Sequence, residues 1–277
     1  MTYSSIQQEF ATQGYTIVRN VIPMDEVKRF RTVFENMQRR EESVEYLSSK
    51  EMMITHLLDE VTELQGYLFS GKVHSVMTEL LGKSIWCLPE SLLHCNRYFD
   101  WHKDSTVMDL HAINYHQMTG STIVQLGLYF QDNAISGGGL YLTAGSHLRP
   151  DRFAFPDNLG RIKRIRRKLC GNSLNSQIER IESPIAPDVK AGDVILFDFR
   201  LDHRASFMRN IWGKPIRLKN QKYAVFSQFA NDELVLRHYL DAIRRNPGPY
   251  SEFLRNYRLP ETLKSVLNHQ SLKAVLA

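Results

Sequence analysis

Gly192-Asp193-Val194-Ile195-Leu196-Phe197-Asp198-Phe199-Arg200-Leu201-Asp202-His203 is the stretch from which the rest of the chain is read. It opens on an Ala191-Gly192-Asp193 turn, continues as an apolar, β-prone run and ends on an imidazole. A short apolar run bounded by turn residues fits a strand that is buried on both faces. Moving outward, similar runs recur as SIWCL (84–88), SLLHCNRYF (91–99), TIVQLGLYF (122–130), GLYLT (139–143) and KYAVFSQF (222–229). Between them lie the turn signals Gly137-Gly138-Gly139 and Gly145-Ser146. Short strands punctuated by glycine turns predict a mainly β core, either a barrel or a double-sheet jelly roll.

Helical patterning flanks this core. Ile6 and Phe10 precede a break at Gly14 and a short β-prone Tyr15–Val18. Pro23, Asp25 and Glu26 mark a helix start, after which Val27, Phe30, Phe34 and Met37 form one apolar stripe. Further helices are expected over 51–68 and 72–82, and again in LVLRHYLDAI and ETLKSVLNHQSLKAVL near the end. The whole reads as one domain over 1–277: a helical part (1–83), a β core (84–230) with a polar insertion (148–186), and C-terminal helices (231–277).

Apolar content of 43% and charged content of 23% are ordinary for a globular chain. No run approaches the roughly 20 apolar residues of a membrane span, and the N-terminus has no secretory pattern. Cys87, Cys95 and Cys170 are few, odd in number and not spaced as CxxC, so reduced thiols and a cytoplasmic location are expected. The net charge is +5, and much of the excess lies in RIKRIRRK (Arg161–Lys168). That run reads as a solvated face or as a collar attracting an anionic small-molecule substrate. Elsewhere acids and bases interleave, which argues against a nucleic-acid partner; a monomer without membrane association is expected.

Ten histidines are present. His56, His74, His238 and His269 fall in expected helices and need no function. Trp101-His102-Lys103-Asp104-Ser105 differs, because in extended chain residues i and i+2 share a face. His102 and Asp104 can then reach one metal while Lys103 points away, with Trp101 a structural aromatic. His203 follows the strand quoted above and supplies a second imidazole. Two histidines and one carboxylate leave several positions open on one side of Fe(II), whereas zinc favours a closed tetrahedron or an open site beside a general base. His147, in AGSH, competes for the role of distal ligand, although a turn-shaping hydrogen bond explains it as well. His111 and His116 form a weaker alternative pair in a polar stretch.

HKDS (102–105), SGGGLYLTAGSH (136–147) and GDVILFDFRLDH (192–203), in that order, resemble the phytanoyl-CoA dioxygenase family of 2-oxoglutarate oxygenases. The opening FATQGYTIVRNVIPMDEV (10–27) is similar to that family's start, and the likeness runs from about residue 6 to residue 230. The resemblance implies a double-stranded β-helix (jelly roll, cupin-like) with flanking helices. It also implies Fe(II) held by His102, Asp104 and His203, with 2-oxoglutarate and O₂ consumed as succinate and CO₂ are released. A carboxylate at position 104 leaves no vacant halide position and favours hydroxylation of an unactivated C–H bond over halogenation.

The family anchors the distal carboxylate of 2-oxoglutarate on an arginine near the start of the last core strand. Here the apolar pattern of KYAVFSQFA puts Lys222 at that position, with Arg217 as second choice and Arg209–Gln221 as an inserted loop. Lysine offers a point charge without arginine's planar fork. Alternation places Gln125, Gly127 and Tyr129 on one face of a strand, and His94 and Asn96 on one face of another, as co-substrate contacts by likeness or as ordinary packing. The expected substrate is an amino acid or natural-product intermediate. An acyl-CoA or lipid hydroxylase of the same family and a non-enzymatic small-molecule-binding jelly roll are the alternatives; an intact His-Asp-His set favours the enzyme.

Overall fold

The apolar runs of the middle third form the centre of one large sheet. A computed structural model of the chain describes residues 4–40, 44–48, 51–55, 57–99, 101–133, 140–153, 178, 182–205, 221–246 and 249–275. Its strands are β1 (Tyr15–Val18), β2 (Val44–Ser48), β3 (Glu51–Ile54), β4 (Ile85–Cys95), β5 (Ile123–Tyr129), β6 (Leu140–Leu142), β7 (Val194–Asp198), β8 (His203–Ala205), β9 (Tyr223–Ala230) and β10 (Leu272–Ala274). Its helices are α1 (Ser5–Gln13), α2 (Met24–Arg40), α3 (Leu57–Glu60), α4 (Glu63–Phe69), α5 (Gly71–Leu81), α6 (Thr106–Leu110), α7 (Glu233–Arg245), α8 (Pro249–Asn256) and α9 (Glu261–His269).

The large sheet runs β1-β7-β5-β9-β4-β3-β2, antiparallel throughout, with β10 added parallel to β4. A small sheet of β6 and β8 faces it, extended by bridges from His203 to His102 and from Leu142 to Ile185. The two layers make the double-stranded β-helix. Every residue of β5 and β7 is buried because both faces of the large sheet are covered. Alternation then decides the layer. Val124, Leu126, Val194, Leu196, Val225 and Phe229 pack into the helix-side core. Gln125, Tyr129, Phe197, Lys222, Phe226 and Gln228 face a cavity on the other side.

Helix α2 carries the expected stripe, with Val27, Phe30, Phe34 and Met37 all buried. At about 1.5–3 kcal/mol per fully buried large apolar side chain, this stripe is enough to dock the helix. Phe34 meets Phe130 edge-on at 4.8 Å, a favoured aromatic geometry. The Gly192 turn is as read: its φ is +85°, and a Cβ there would lie 2.3 Å from the Ile22 carbonyl.

Several boundaries differ from expectation. SIWCL and SLLHCNRYF are one strand, β4, whose pairing with β9 shifts register between Leu88 and Leu92; Pro89 lies in that interval, where a residue without an N–H is tolerated. Residues 51–54 are a strand, not the start of a helix: Met52 and Ile54 enter the helix-side core while Met53 lines the cavity, a period of two. Leu272–Ala274 leaves the helical pattern to join β4. Arg161–Lys168, Gly137–Gly139, His56, Cys170 and Arg217, with most of the insertion, lie outside the described residues. Among the described residues no helix is long and apolar enough to cross a membrane.

Candidate metal centre

His102 and His203 are locked opposite one another by backbone hydrogen bonds made in both directions: His102 N–H to the His203 carbonyl (2.9 Å) and His203 N–H to that of His102 (3.0 Å). Their ring centroids are 4.2 Å apart. Asp104 completes the group, with its Oδ1 3.6 Å from His102 Nε2 and 3.8 Å from His203 Nε2. One ligating atom from each residue lies within 4.8 Å of the others. The edge of an octahedron with bonds of ~2.1 Å is roughly 3 Å, so a small inward movement of each donor brings all three onto one ion. The donor set itself, two neutral imidazoles and a carboxylate, suits a divalent transition metal.

The chain around these donors differs from the extended HxD expected. Only His102 pairs as strand; after it the backbone turns into α6, and Ser105 N–H reaches the Phe199 carbonyl (3.1 Å). Lys103 points away from the donors as anticipated. Its ammonium, 2% exposed as a residue, bonds the carbonyls of Ser146 (2.9 Å), Arg149 (3.1 Å) and Arg200 (2.6 Å) and lies 3.3 Å from Asp202. Asp202 also pairs with Arg152, which pairs with Glu182. The buried Lys103–Asp202 pair fastens the loops carrying Asp104 and His203 to one another.

The electrostatics favour metal-ready protonation. His203 Nδ1 donates to the Leu201 carbonyl at 3.0 Å, leaving the Nε2 lone pair for a ligand. Burial, then His102 nearby, pulls the His203 imidazole down to about 4, so it is neutral at pH 7. Burial alone would push the Asp104 carboxyl up, but His203 and His102 outweigh it and hold it below its usual range.

The competing histidines lie elsewhere. His147 is buried, but its Nε2 is 3.2 Å from the Ala11 carbonyl at the end of α1, and its ring packs on Gly14. It shapes the contact between α1 and the 145–148 turn. His111 closes α6 and His116 sits in the short turn Tyr115–Gln117. Among the described residues, His102, Asp104 and His203 are the one metal-competent group of three.

The donors open into a cavity of about 380 Å³. Lys222, 3% exposed, lies in its wall, with Nζ 2.9 Å from the Arg97 carbonyl and 5.0 Å from the Tyr98 ring centre. Burial, then the Arg97 charge, pulls this ammonium down to about 7. His94, beside it in the wall, is held well below its ordinary value by burial, Arg97 and Lys222. Arg97 also lines the cavity, and it escaped the sequence reading because strict alternation puts it on the far face from His94. Asn96 adopts φ +53° and breaks that alternation. Asn96 itself does not face the cavity as expected; its Oδ1 accepts from the Lys222 backbone N–H at 2.9 Å. Gln125 lines the cavity as anticipated, joined by Gln228, which the sequence reading missed although it shares the parity of Lys222.

The model of the family described as phytanoyl-CoA dioxygenase (PhyH) matches residues 10–210, most of the chain. No curated protein sequence matches significantly. Among solved structures, the non-heme alpha ketoglutarate dependent epimerase SnoN from nogalamycin biosynthesis is similar at TM-score 0.56 and 14% identity, covering 81% of this chain and 80% of that one. EctD from S. alaskensis with bound Fe gives 0.56 and 17%, covering 82% and 76%. EvdO2 from Micromonospora carbonacea var. aurantiaca, complexed with 2-oxoglutarate, gives 0.51 and 14%, covering 83% and 91%. At such identities the likeness establishes a shared fold, and the family match stands on the sequence itself: this chain belongs to the phytanoyl-CoA dioxygenase family.

Proposed function

We propose that the protein is an Fe(II)- and 2-oxoglutarate-dependent oxygenase that hydroxylates an unactivated C–H bond of a small metabolite. The observation that carries this reading is the convergence of His102, Asp104 and His203 on a cavity whose wall also holds Arg97 and the buried Lys222. Iron with 2-oxoglutarate supplies the oxidising chemistry: substrate, 2-oxoglutarate and O₂ become hydroxylated substrate, succinate and CO₂. The similar structures named above, one with iron and one with 2-oxoglutarate, support the same cofactors here.

The chain's own residues provide binding and orientation. His102 Nε2, His203 Nε2 and an Asp104 oxygen would hold the metal. Lys222 receives the distal carboxylate of 2-oxoglutarate, with the Arg97 charge beside it. The buried Lys222 and the partly buried Arg97 together replace the fork of a single arginine. Apolar walls from Phe197, Phe226 and Leu140 limit water around the reacting centre. The test is succinate formation from 2-oxoglutarate by protein reconstituted with Fe(II), measured against the metal-free protein. Iron-dependent succinate is the expected result; none above the metal-free level, with 2-oxoglutarate failing to bind, would refute the reading.

A further inference from the structure

Gln125 and Gln228 face one another as register partners across β5 and β9. They are 5% and 7% exposed, both line the cavity, and the side-chain carbonyl of each is buried without a hydrogen-bond partner. Buried polar atoms are nearly always satisfied, and each exception calls for an explanation. Two adjacent exceptions turned into the same cavity are explained by a ligand that supplies the missing partners. Because the two ends of a primary amide exchange by rotation, the pair can offer both acceptor and donor.

Position separates this pair from the co-substrate. Gln228 lies six residues beyond Lys222 on the cavity side of one strand, roughly 20 Å at the usual rise per residue. Lys222 Nζ is held at its own end by the Arg97 carbonyl. The five carbons of 2-oxoglutarate span only roughly 5 Å, so a molecule anchored on Lys222 stops short of the glutamines. The pair does adjoin the metal group. Gln125 pairs with Phe197 on β7, and the Phe197 ring centre is 4.9 Å from that of His203. Tyr239 and Ile243 of α7 and Tyr250 of α8 also line the cavity, and they come from chain beyond the family-matched 10–210.

Charge narrows the ligand. Among the described lining residues the ionised side chains are Arg97, Lys103, Asp104 and Lys222. Arg97 and Lys222 belong to the co-substrate end and Asp104 to the metal group, while the Lys103 ammonium is already engaged by three carbonyls and Asp202. Among the described lining residues none is left to neutralise a charged substrate.

We infer, building on the function proposed above, that Gln125 and Gln228 are specificity-determining residues that bind an uncharged substrate through an amide or hydroxyl group on a compact apolar body.

The experiment uses full-length protein loaded with Fe(II) and 2-oxoglutarate without O₂, and follows thermal unfolding. Three probes share one ring and differ in charge: cyclohexanecarboxamide, cyclohexanecarboxylate and cyclohexylammonium. A ligand that binds only the folded protein raises the midpoint. The carboxamide is expected to add a rise beyond that given by 2-oxoglutarate, and the two ions none. Gln125→Leu and Gln228→Leu should abolish the carboxamide increment while the 2-oxoglutarate increment persists. Gln228→Glu should transfer the increment to cyclohexylammonium. Absence of any 2-oxoglutarate increment in the unaltered protein would bring down the proposed function and this inference with it. A normal 2-oxoglutarate increment with no response to any probe, with a larger response to the carboxylate, or with a carboxamide response surviving both leucine variants, would overturn this inference alone. So would loss of the 2-oxoglutarate increment in the leucine variants, which would make the pair co-substrate contacts.

Discussion

His203 and His147 are alike in most of what surrounds them. Both are buried, at 6% and 5% exposure, His203 opens β8 of the small sheet while His147 follows its β6, and each has one ring nitrogen against a backbone carbonyl, Leu201 for His203 and Ala11 for His147. Burial lowers the basicity of both. The difference is which nitrogen is engaged and what the other one meets. His203 uses Nδ1 and presents Nε2 to Asp104 at 3.8 Å. His147 uses Nε2, and its Nδ1 is buried with no partner, against Gly14, where a Cβ would come within 2.5 Å. Burial and a lowered pKa therefore do not mark a ligand. A converging lone pair and carboxylate do.

The largest expected effect contrasts these two regions. Asp104→Gly removes the only carboxylate of the metal group and is expected to abolish 2-oxoglutarate-dependent succinate release, whereas His147→Ala keeps measurable turnover. Undiminished turnover in the Asp104 variant would break the contrast.

Next in size is the co-substrate end. On the proposed function, Lys222→Ala removes the buried cation that pairs with the distal carboxylate of 2-oxoglutarate. Breaking such a pair costs on the order of 3–5 kcal/mol, hundreds-fold or more in affinity, read by titrating 2-oxoglutarate into the metal-loaded protein. Arg97→Ala is expected to weaken binding less, and Arg217→Ala least. A severe loss for Arg217→Ala with near-normal binding for Lys222→Ala would shift the anchor off β9.

A smaller effect is pH dependence. The Lys222 ammonium is pulled down to about 7 by burial and then by Arg97. Below that pH the cation is ready; above it the amine is neutral and must take up a proton as the diacid binds. Affinity for 2-oxoglutarate should therefore fall as pH rises above 7, by up to about tenfold per unit. Lys222→Arg, charged throughout, should flatten the profile if the cavity admits it, and an unaltered slope in that variant would remove Lys222 as its source.

The smallest effect tests the structural histidine. Gly14→Ala forces a side chain into φ +82° and against His147 and Leu201. A loss of about 1–3 kcal/mol of stability is expected, seen as a lower unfolding midpoint with iron stoichiometry unchanged. Lost iron binding in folded Gly14→Ala protein would tie His147 to the metal after all.

Much of this was legible from residues alone. The apolar runs at 123–129, 194–198 and 223–230 had to be central strands because nothing else buries both faces of a segment that short. Lys222 and Gln228 follow from parity along one strand. Arg97 was hidden because one left-handed residue, Asn96, reverses the parity that alternation assumes. Asp104 joins His102 and His203 from a turn and not from a strand, so the extended geometry expected of the tripeptide does not hold. The roles of Tyr239, Ile243 and Tyr250 depend on how α7 and α8 fold back over the cavity, a long-range packing outcome that no local pattern encodes.

The most direct measurement is Fe(II) stoichiometry in three proteins: the unaltered chain, His203→Ala and His147→Ala, each confirmed as folded. The expected values are about one iron per chain in the unaltered protein and in His147→Ala, with loss of the iron in His203→Ala. Full occupancy in His203→Ala, or its loss in folded His147→Ala, would contradict the assignment of His102, Asp104 and His203.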